Sequence, residues 1–221
     1  MTVCLDELFS RLLKAYGPQA WWPADTPFEV MVGAVLVQNT AWKNVRRAID
    51  QLREAGRLSP QAIHASPQQE LETLIRPAGY YRVKAKRLRH LVDFLVNSYD
   101  GSVEAMRATP PDRLRAALLG VHGVGPETAD SILLYAAELP SFVVDTYTHR
   151  VLVRHGWIEQ DADYHAIKEF FESRLEPDVA LYNEFHALLV RVGHLHCRKN
   201  PSCDACPLVD LLPEGGICLA D

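Results

Sequence analysis

Residues 118–130 read L-L-G-V-H-G-V-G-P-E-T-A-D. A helical stretch, D-R-L-R-A-A-L-L-G, runs into Gly120, and a second, E-T-A-D-S-I-L-L-Y-A-A-E-L, starts directly after Pro126. Between them Gly123 and Gly125 offer backbone angles closed to other residues. Pro126 suits the first helical position, where a missing N–H costs nothing. The stretch therefore predicts two helices joined by a tight turn through Gly123, Val124 and Gly125, with bare amides beside a helix N-terminus. Such a turn binds an anion such as a DNA phosphate, a contact that fixes position without reading sequence. A plain interhelical turn carries the same pattern.

Working outward, the chain is helical almost throughout. L-D-E-L-F-S-R-L-L-K-A-Y-G repeats apolar residues at three- and four-residue steps and stops at Gly17. F-E-V-M-V-G-A-V-L-V-Q-N-T is apolar enough for a buried helix. A-W-K-N-V-R-R-A-I-D-Q-L-R-E-A-G and R-V-K-A-K-R-L-R-H-L-V-D-F-L-V-N-S-Y-D-G are amphipathic and close at Gly56 and Gly101. Y-H-A-I-K-E-F-F-E-S-R-L and V-A-L-Y-N-E-F-H-A-L-L-V-R-V-G-H-L-H-C complete the set. Few segments alternate with period two. The expectation is an all-α fold of about ten helices with short turns marked by Pro and Gly.

The 221 residues suit one large domain or two small ones, and 48% hydrophobic content supplies a core. No apolar run reaches the ~18 residues of a membrane span, and the start, M-T-V-C-L-D-E-L-F-S, does not read as a secretory signal. A soluble, cytoplasmic protein is the expectation. The net charge of −5 runs against nucleic-acid binding, but charge can be local. Lys43, Arg46 and Arg47 form one basic cluster; Arg82, Lys84, Lys86, Arg87 and Arg89 form another. Either is a DNA-binding face or a solvated helix face.

Downstream of the hairpin comes S-F-V-V-D-T-Y-T-H-R-V. Asp145 follows an apolar run and precedes a helix, the place of an N-cap. The hairpin, the Val-Asp-Thr step and the later Arg-Val together resemble the signature of the helix-hairpin-helix DNA glycosylases, as in endonuclease III. The resemblance runs from about Pro27 to the C-terminus. It implies two helical modules with a DNA groove between them: residues 22–132 with the hairpin, and residues 1–21 with 133–221. It also implies that Gly123, Val124 and Gly125 grip the DNA backbone and that Asp145 assists cleavage of the N-glycosidic bond. Bifunctional members carry a lysine two residues past the second hairpin glycine; here Glu127 stands there. A carboxylate cannot form the Schiff base that leads to strand cleavage, so a monofunctional enzyme is expected. Glu127 also suits a helix N-terminus as a charge.

Trp21, Trp22 and Trp42 crowd into one short stretch. With W-W-P, V-L-V-Q-N-T-A-W, R-P-A-G-Y-Y-R-V-K-A-K-R-L and H-G-V-G-P-E-T-A-D, they are similar to the 3-methyladenine DNA glycosylase branch. There, aromatic side chains at these places hold the extruded base, so Trp21, Trp22 and Trp42, with Glu127, are expected to line the base pocket. A cationic alkylated adenine would be drawn to an indole face. Such a base leaves readily, so Asp145 need only stabilise the positive sugar or orient water. Gln38 falls where related enzymes supply a side chain that plugs the gap left by the flipped base; a buried amide bonded to nearby backbone is the other reading.

Four of the five cysteines lie near the end: Cys197-x5-Cys203-x2-Cys206-x11-Cys218. In a reducing compartment such a cluster binds metal more often than it forms disulfides. The pattern resembles the [4Fe–4S] loop of endonuclease III relatives. The last gap is longer than the family's, which makes Cys218 the least secure ligand. Zinc held by four cysteines is the rival, and Arg198 and Lys199 are either phosphate contacts or loop charges. The expected partner is double-stranded DNA with a damaged base, met by a monomer. The alternatives are a glycosylase for oxidised pyrimidines or mismatches, and a non-catalytic iron–sulfur DNA-binding protein.

Overall fold

Helix α2 (Pro27–Leu36) is buried from Phe28 to Leu36. Its sequence, P-F-E-V-M-V-G-A-V-L, carries one charge, and that charge is paired: Glu29 meets Arg53 at 2.9 Å. Thr26 caps it by accepting from the Glu29 N–H at 3.1 Å, and Pro27 takes the first turn. The amphipathic helices that pack on it, Trp42–Glu54 and Tyr81–Tyr99, turn their apolar faces to it, so the apolar helix forms the centre and they form its cover.

The computed structural model describes residues 3–218. The described residues are helical, with no β-strand among them, as the apolar spacing predicts. The chain divides into two compact units, Trp22–Leu139 and Met1–Trp21 with Pro140–Asp221.

The first unit builds outward from α2 with α3 (Trp42–Glu54), α4 (Pro60–Ala65), α5 (Gln68–Leu74), α6 (Tyr81–Tyr99), α7 (Val103–Arg107), α8 (Pro111–Leu119) and α9 (Pro126–Ser131). A wider, π-helical turn, Ile132–Ala136, continues α9 and is buried throughout. α6 packs on α2, α4 and α5, and α9 with its π-helical continuation packs on α2 and α8. Val45, Leu52, Ile63, Leu71, Leu88, Val92, Leu95, Leu114 and Leu118 are removed from water between them. At about 1.5–3 kcal/mol for each large aliphatic side chain buried, this apolar seam dominates the unit's stability.

The second unit contains α1 (Leu5–Tyr16), α10 (Thr146–Arg154), α11 (Tyr164–Glu172) and α12 (Val179–Leu195). α12 packs on both α1 and α10. Phe142 stacks on Phe171 at 3.9 Å between ring centres and meets Tyr182 and Phe185 edge-on. That aromatic cluster anchors the extended strip before Asp145, so the residue that starts α10 is held from behind.

Candidate active site

The hairpin between α8 and α9 forms as the glycines predict, but the two glycines do different work. Gly123 has φ +94°, and a Cβ on it would collide with the Arg87 side chain. Gly125 has φ −95° and ψ 178°, an ordinary extended backbone, which corrects the expectation that both need special angles. A Cβ at Gly125 would meet nothing within 4 Å. The fold itself thus requires glycine only at Gly123; at Gly125 the open space lies on the outside. Val124 is buried and its N–H bonds Val121 O at 3.0 Å, which pins the turn. Glu127 lies exposed in the first turn of α9.

Gln38 is drawn into the same turn. Its Nε2 donates to Gly123 O at 3.2 Å and to Thr128 Oγ1 at 3.0 Å, while its Oε1 accepts from Arg87. This is the amide-to-backbone reading: the side chain ties α2's C-terminal turn to the hairpin. Arg87 is half-buried between Gln38 and Gly123.

The second basic cluster separates by burial. Lys84 is 2% exposed, and its Nζ donates to Leu36 O at 2.9 Å and Ala78 O at 2.7 Å. Its assignment to DNA is therefore wrong: the ammonium is spent on two carbonyls at the ends of α2 and of the short helical turn Arg76–Ala78. Burial, with the Arg87 guanidinium near it, brings its amine down to about 8. Arg89 likewise closes the end of α4, donating to the carbonyls of Ile63, His64 and Ser66. Arg82 and Lys86 remain exposed, as do Lys43, Arg46 and Arg47.

Two of the three tryptophans meet in the first unit. Trp22 lies edge-on to Trp42 at 5.0 Å and tilted against Tyr135 at 5.0 Å. Both indoles rest on Gly33 of α2; a Cβ there would stand 3.2 Å from Trp42 and 3.5 Å from Trp22. A methyl group at Gly33 would press on the Trp42 ring by a few tenths of an ångström and lie in ordinary contact with Trp22. Trp21 belongs to the second unit, edge-on to His186 at 6.5 Å.

Asp145 caps α10. Its Oδ1 accepts from Thr148 N at 2.8 Å and Thr148 Oγ1 at 3.0 Å. Its Oδ2 lies 3.7 Å from His186 Nε2, too long for a formed hydrogen bond and an ion pair only when the imidazole is protonated. The side chain is 14% exposed. Burial pushes its pKa up, but His186 and the two Thr148 donors outweigh that and hold it below the usual carboxylate range. Asp145 is therefore a carboxylate at neutral pH.

Three of the four clustered thiols line one apolar pocket. Cys197, Cys203 and Cys206 surround it with Val151, Val192 and Leu212. Burial pushes the Cys206 thiol's pKa up, and its neighbours Cys203 and Cys197 add to the rise. Cys218 is exposed and lies over Gly156, outside the pocket lining. Among the described residues no group of three or more His, Cys, Asp or Glu is arranged around a single ion. The loop hangs on the end of α10. Arg154, 7% exposed, donates to Cys197 Sγ at 3.4 Å, Arg198 O at 2.6 Å and Lys199 O at 3.1 Å; its own carbonyl accepts from Cys218 N at 2.9 Å. Arg150 adds a bond to Cys197 O at 3.0 Å. Arg154 and His186 escaped the sequence reading, because nothing local distinguishes them from ordinary helix residues.

A helical scaffold with a glycine hairpin, followed by a helix capped by a buried carboxylate, defines a helix-hairpin-helix protein. Residues 32–177 match the HhH-GPD superfamily of base excision DNA repair proteins, and the chain belongs to that family. A provisionally named DNA repair glycosylase of Methanocaldococcus jannaschii is 50% identical over 204 residues, covering 91% of this chain and 92% of that one. A trapped endonuclease III–DNA covalent intermediate superposes with a TM-score of 0.81 at 28% identity, spanning 96% of this chain and 95% of that one. A 3-methyladenine DNA glycosylase of H. pylori, bound to 1,N6-ethenoadenine, superposes with a TM-score of 0.74 at 27% identity, spanning 85% of this chain and 96% of that one.

Proposed function

We propose that this glycosylase takes a cationic alkylated purine from double-stranded DNA and hydrolyses its N-glycosidic bond without cutting the strand. The observation that carries the reading is Asp145: a carboxylate kept ionised, with one oxygen committed to the helix cap and the other turned to the side of His186 and Trp21. As the bond to the base stretches, positive charge develops on the sugar. A preorganised carboxylate stabilises that charge and orients the attacking water. An indole, of the kind Trp21, Trp22 and Trp42 carry, would offer an electron-rich face to a base that is itself cationic. An alkylated base of this kind already leaves well, so no strong general acid is required. The modified adenine in the H. pylori relative supports a purine.

The hairpin amides at Gly123 and Gly125 would take a DNA phosphate, with the open face of Gly125 admitting it closely while the Val124 N–H stays on Val121 O and holds the turn. Lys86 and, beside the hairpin, Arg87 would add charge. Glu127 has no amine with which to attack C1′. The chemistry of the donor set in the C-terminal loop suits a thiolate-bound group: Cys197, Cys203 and Cys206 would hold three corners of a [4Fe–4S] cluster, with Cys218 as fourth. The cluster would supply order to a loop poor in apolar burial, and Arg154 would hold that loop against α10. A second reading, a glycosylase for oxidised pyrimidines or mismatched bases, draws support from the higher likeness to endonuclease III.

A panel of lesion duplexes tests both. Base release, scored separately from strand nicking, should occur on alkylated-purine DNA and not on thymine-glycol DNA. The reverse pattern would favour the second reading.

A further inference from the structure

His186 stands on α12, 5% exposed at the side chain, with Nε2 3.7 Å from Asp145 Oδ2. The contact is not incidental to packing. Thr148 occupies Oδ1 with two donors, so Oδ2 is the oxygen left for other work, and it is the one His186 faces. A buried imidazole beside a buried carboxylate has two states of very different effect. Neutral, it leaves the carboxylate its full negative charge. Protonated, it makes an ion pair whose field largely cancels. Histidine side chains as a class change charge between about pH 5 and 8, the range the test below spans.

We propose that His186 is a positioning residue that gates Asp145: neutral, it leaves Oδ2 its full negative charge; protonated, it cancels much of that charge and slows base release. The proposal rests on the reading of Asp145 as the residue that meets the sugar. The groups around His186 fit it. From α10 comes Asp145, and from the segment after α1 comes the ring of Trp21, edge-on. Tyr16 of α1 is stacked on His196, the residue that follows the last turn of α12. On α12 itself, Glu184 accepts from Gln19 N and Tyr182 lies against Phe142. Of these groups, Asp145 brings its carboxylate to 3.7 Å from the imidazole. The cationic gate also has a chemical logic for this substrate class. An imidazolium beside the site would repel both an alkylated purine and the positive sugar, so acid opposes the reaction twice through one residue.

The test is single-turnover base release across about pH 5 to 8, with duplex affinity measured alongside. Wild-type protein should lose rate toward acid, by ~10-fold or more for a charge change of this kind, while its affinity for lesion duplex follows no such limb. His186→Gln keeps size and an amide donor but does not titrate; its rate should stay within a few-fold of wild type at the upper end and no longer fall toward acid. His186→Phe, which gains no charge at any pH, should likewise lose the acid limb with affinity unchanged. An acid limb that persists in His186→Gln, or is absent from wild type, overturns the proposal. A second measurement needs no turnover. Nitrogen-15 NMR of the imidazole should show His186 titrating at lower pH in Asp145→Asn than in wild type, because the neighbouring negative charge is gone. Unchanged titration also overturns it. The parent reading fails separately: Asp145→Asn with wild-type base release would remove Asp145 from catalysis, whatever His186 does.

Discussion

Thr148 holds one oxygen of Asp145 and leaves the other: its N–H and Oγ1 both donate to Oδ1, at 2.8 and 3.0 Å. One carboxylate thereby starts α10 and presents charge, and the two roles can be separated by substitution. Asp145→Asn keeps an acceptor oxygen for the cap and removes the charge. It should fold with near wild-type stability and bind lesion duplex, while base release falls by at least ~100-fold, the scale seen when one preorganised electrostatic partner is lost. Asp145→Ala loses both and should also destabilise the protein by about 1 kcal/mol, the usual cost of a missing cap. Single-turnover rates and urea midpoints on the two variants check this. Wild-type turnover in the Asn variant would leave Asp145 only its structural role.

The hairpin glycines should respond differently to alanine. Gly123→Ala places a Cβ against Arg87 at φ +94°, so it should cost about 1–3 kcal/mol of stability. Gly125→Ala meets nothing in the fold and adopts a permitted backbone, so stability should hardly change. Its effect should appear in duplex affinity, where a methyl group would intrude on a phosphate. Denaturation and binding curves on the pair distinguish the outcomes. Equal loss of stability in both would refute the division of labour.

Lys84 predicts a pH signature rather than a DNA phenotype. Its amine is near 8 folded and near 10.5 when exposed. Between those values the unfolded chain holds the extra proton, so this residue's contribution to stability rises with pH across that window. Lys84→Met leaves two buried carbonyls without a donor and should cost about 1–3 kcal/mol at neutral pH. The deficit should widen as pH climbs from about 8 toward 10.5. Duplex affinity and its salt dependence should not move. Lys86→Ala, by contrast, should lower affinity and flatten the salt slope without touching stability. A reduced salt slope in Lys84→Met would return that lysine to the DNA face.

These cases show what a sequence discloses. The helices were legible because apolar spacing, glycine stops and first-turn prolines act over a few residues. Asp145 was legible as a cap for the same reason. Lys84 was not, because its direction depends on a carbonyl of Leu36, which another helix brings to it. Read as a string, K-A-K-R is a charged face; the fold turns its first member inward. Gln38 was legible only as an alternative, since its partners Gly123 and Thr128 are distant in the chain. His186 and Arg154 gave no local signal: each is defined by what α10 or the cysteine loop brings to it. The spacing of the cysteines singled them out, but that Cys218 sits outside the pocket its companions line follows from the path of the last loop.

The thiol pocket should hold iron and sulfide. Purified protein should be brown, with broad absorbance near ~400 nm from thiolate-to-iron charge transfer. Cys203→Ala or Cys206→Ala should bleach it and loosen the loop, seen as faster proteolysis after residue 197. Cys218→Ala is the sharper probe, because this thiol lies over Gly156 and outside the pocket that its three companions line. Loss of colour in Cys218→Ala would make it the fourth ligand; retained colour would assign that corner elsewhere. Colourless protein with stoichiometric zinc would overturn the cluster.

After base release, the abasic site should survive. Lyase chemistry needs an amine that attacks C1′, expels the ring oxygen as an imine forms, and then eliminates the 3′ phosphate. Glu127, exposed in the first turn of α9, offers a carboxylate in that position. Borohydride added during turnover should therefore trap little covalent protein–DNA complex. Strand breaks should appear only after alkali or an added abasic endonuclease. Glu127→Lys is a gain-of-function probe with a demanding requirement: the new amine must reach the sugar and shed its proton. Its failure would say little, since geometry can forbid the attack. The wild-type reaction carries the weight. Efficient trapping by wild-type protein would mean that another lysine acts, and Lys43 and Lys199, both exposed, are the ones to replace first. Trapping that vanished in Lys199→Ala would place the attacking amine in the cysteine loop and make the enzyme bifunctional, whatever lesion it removes.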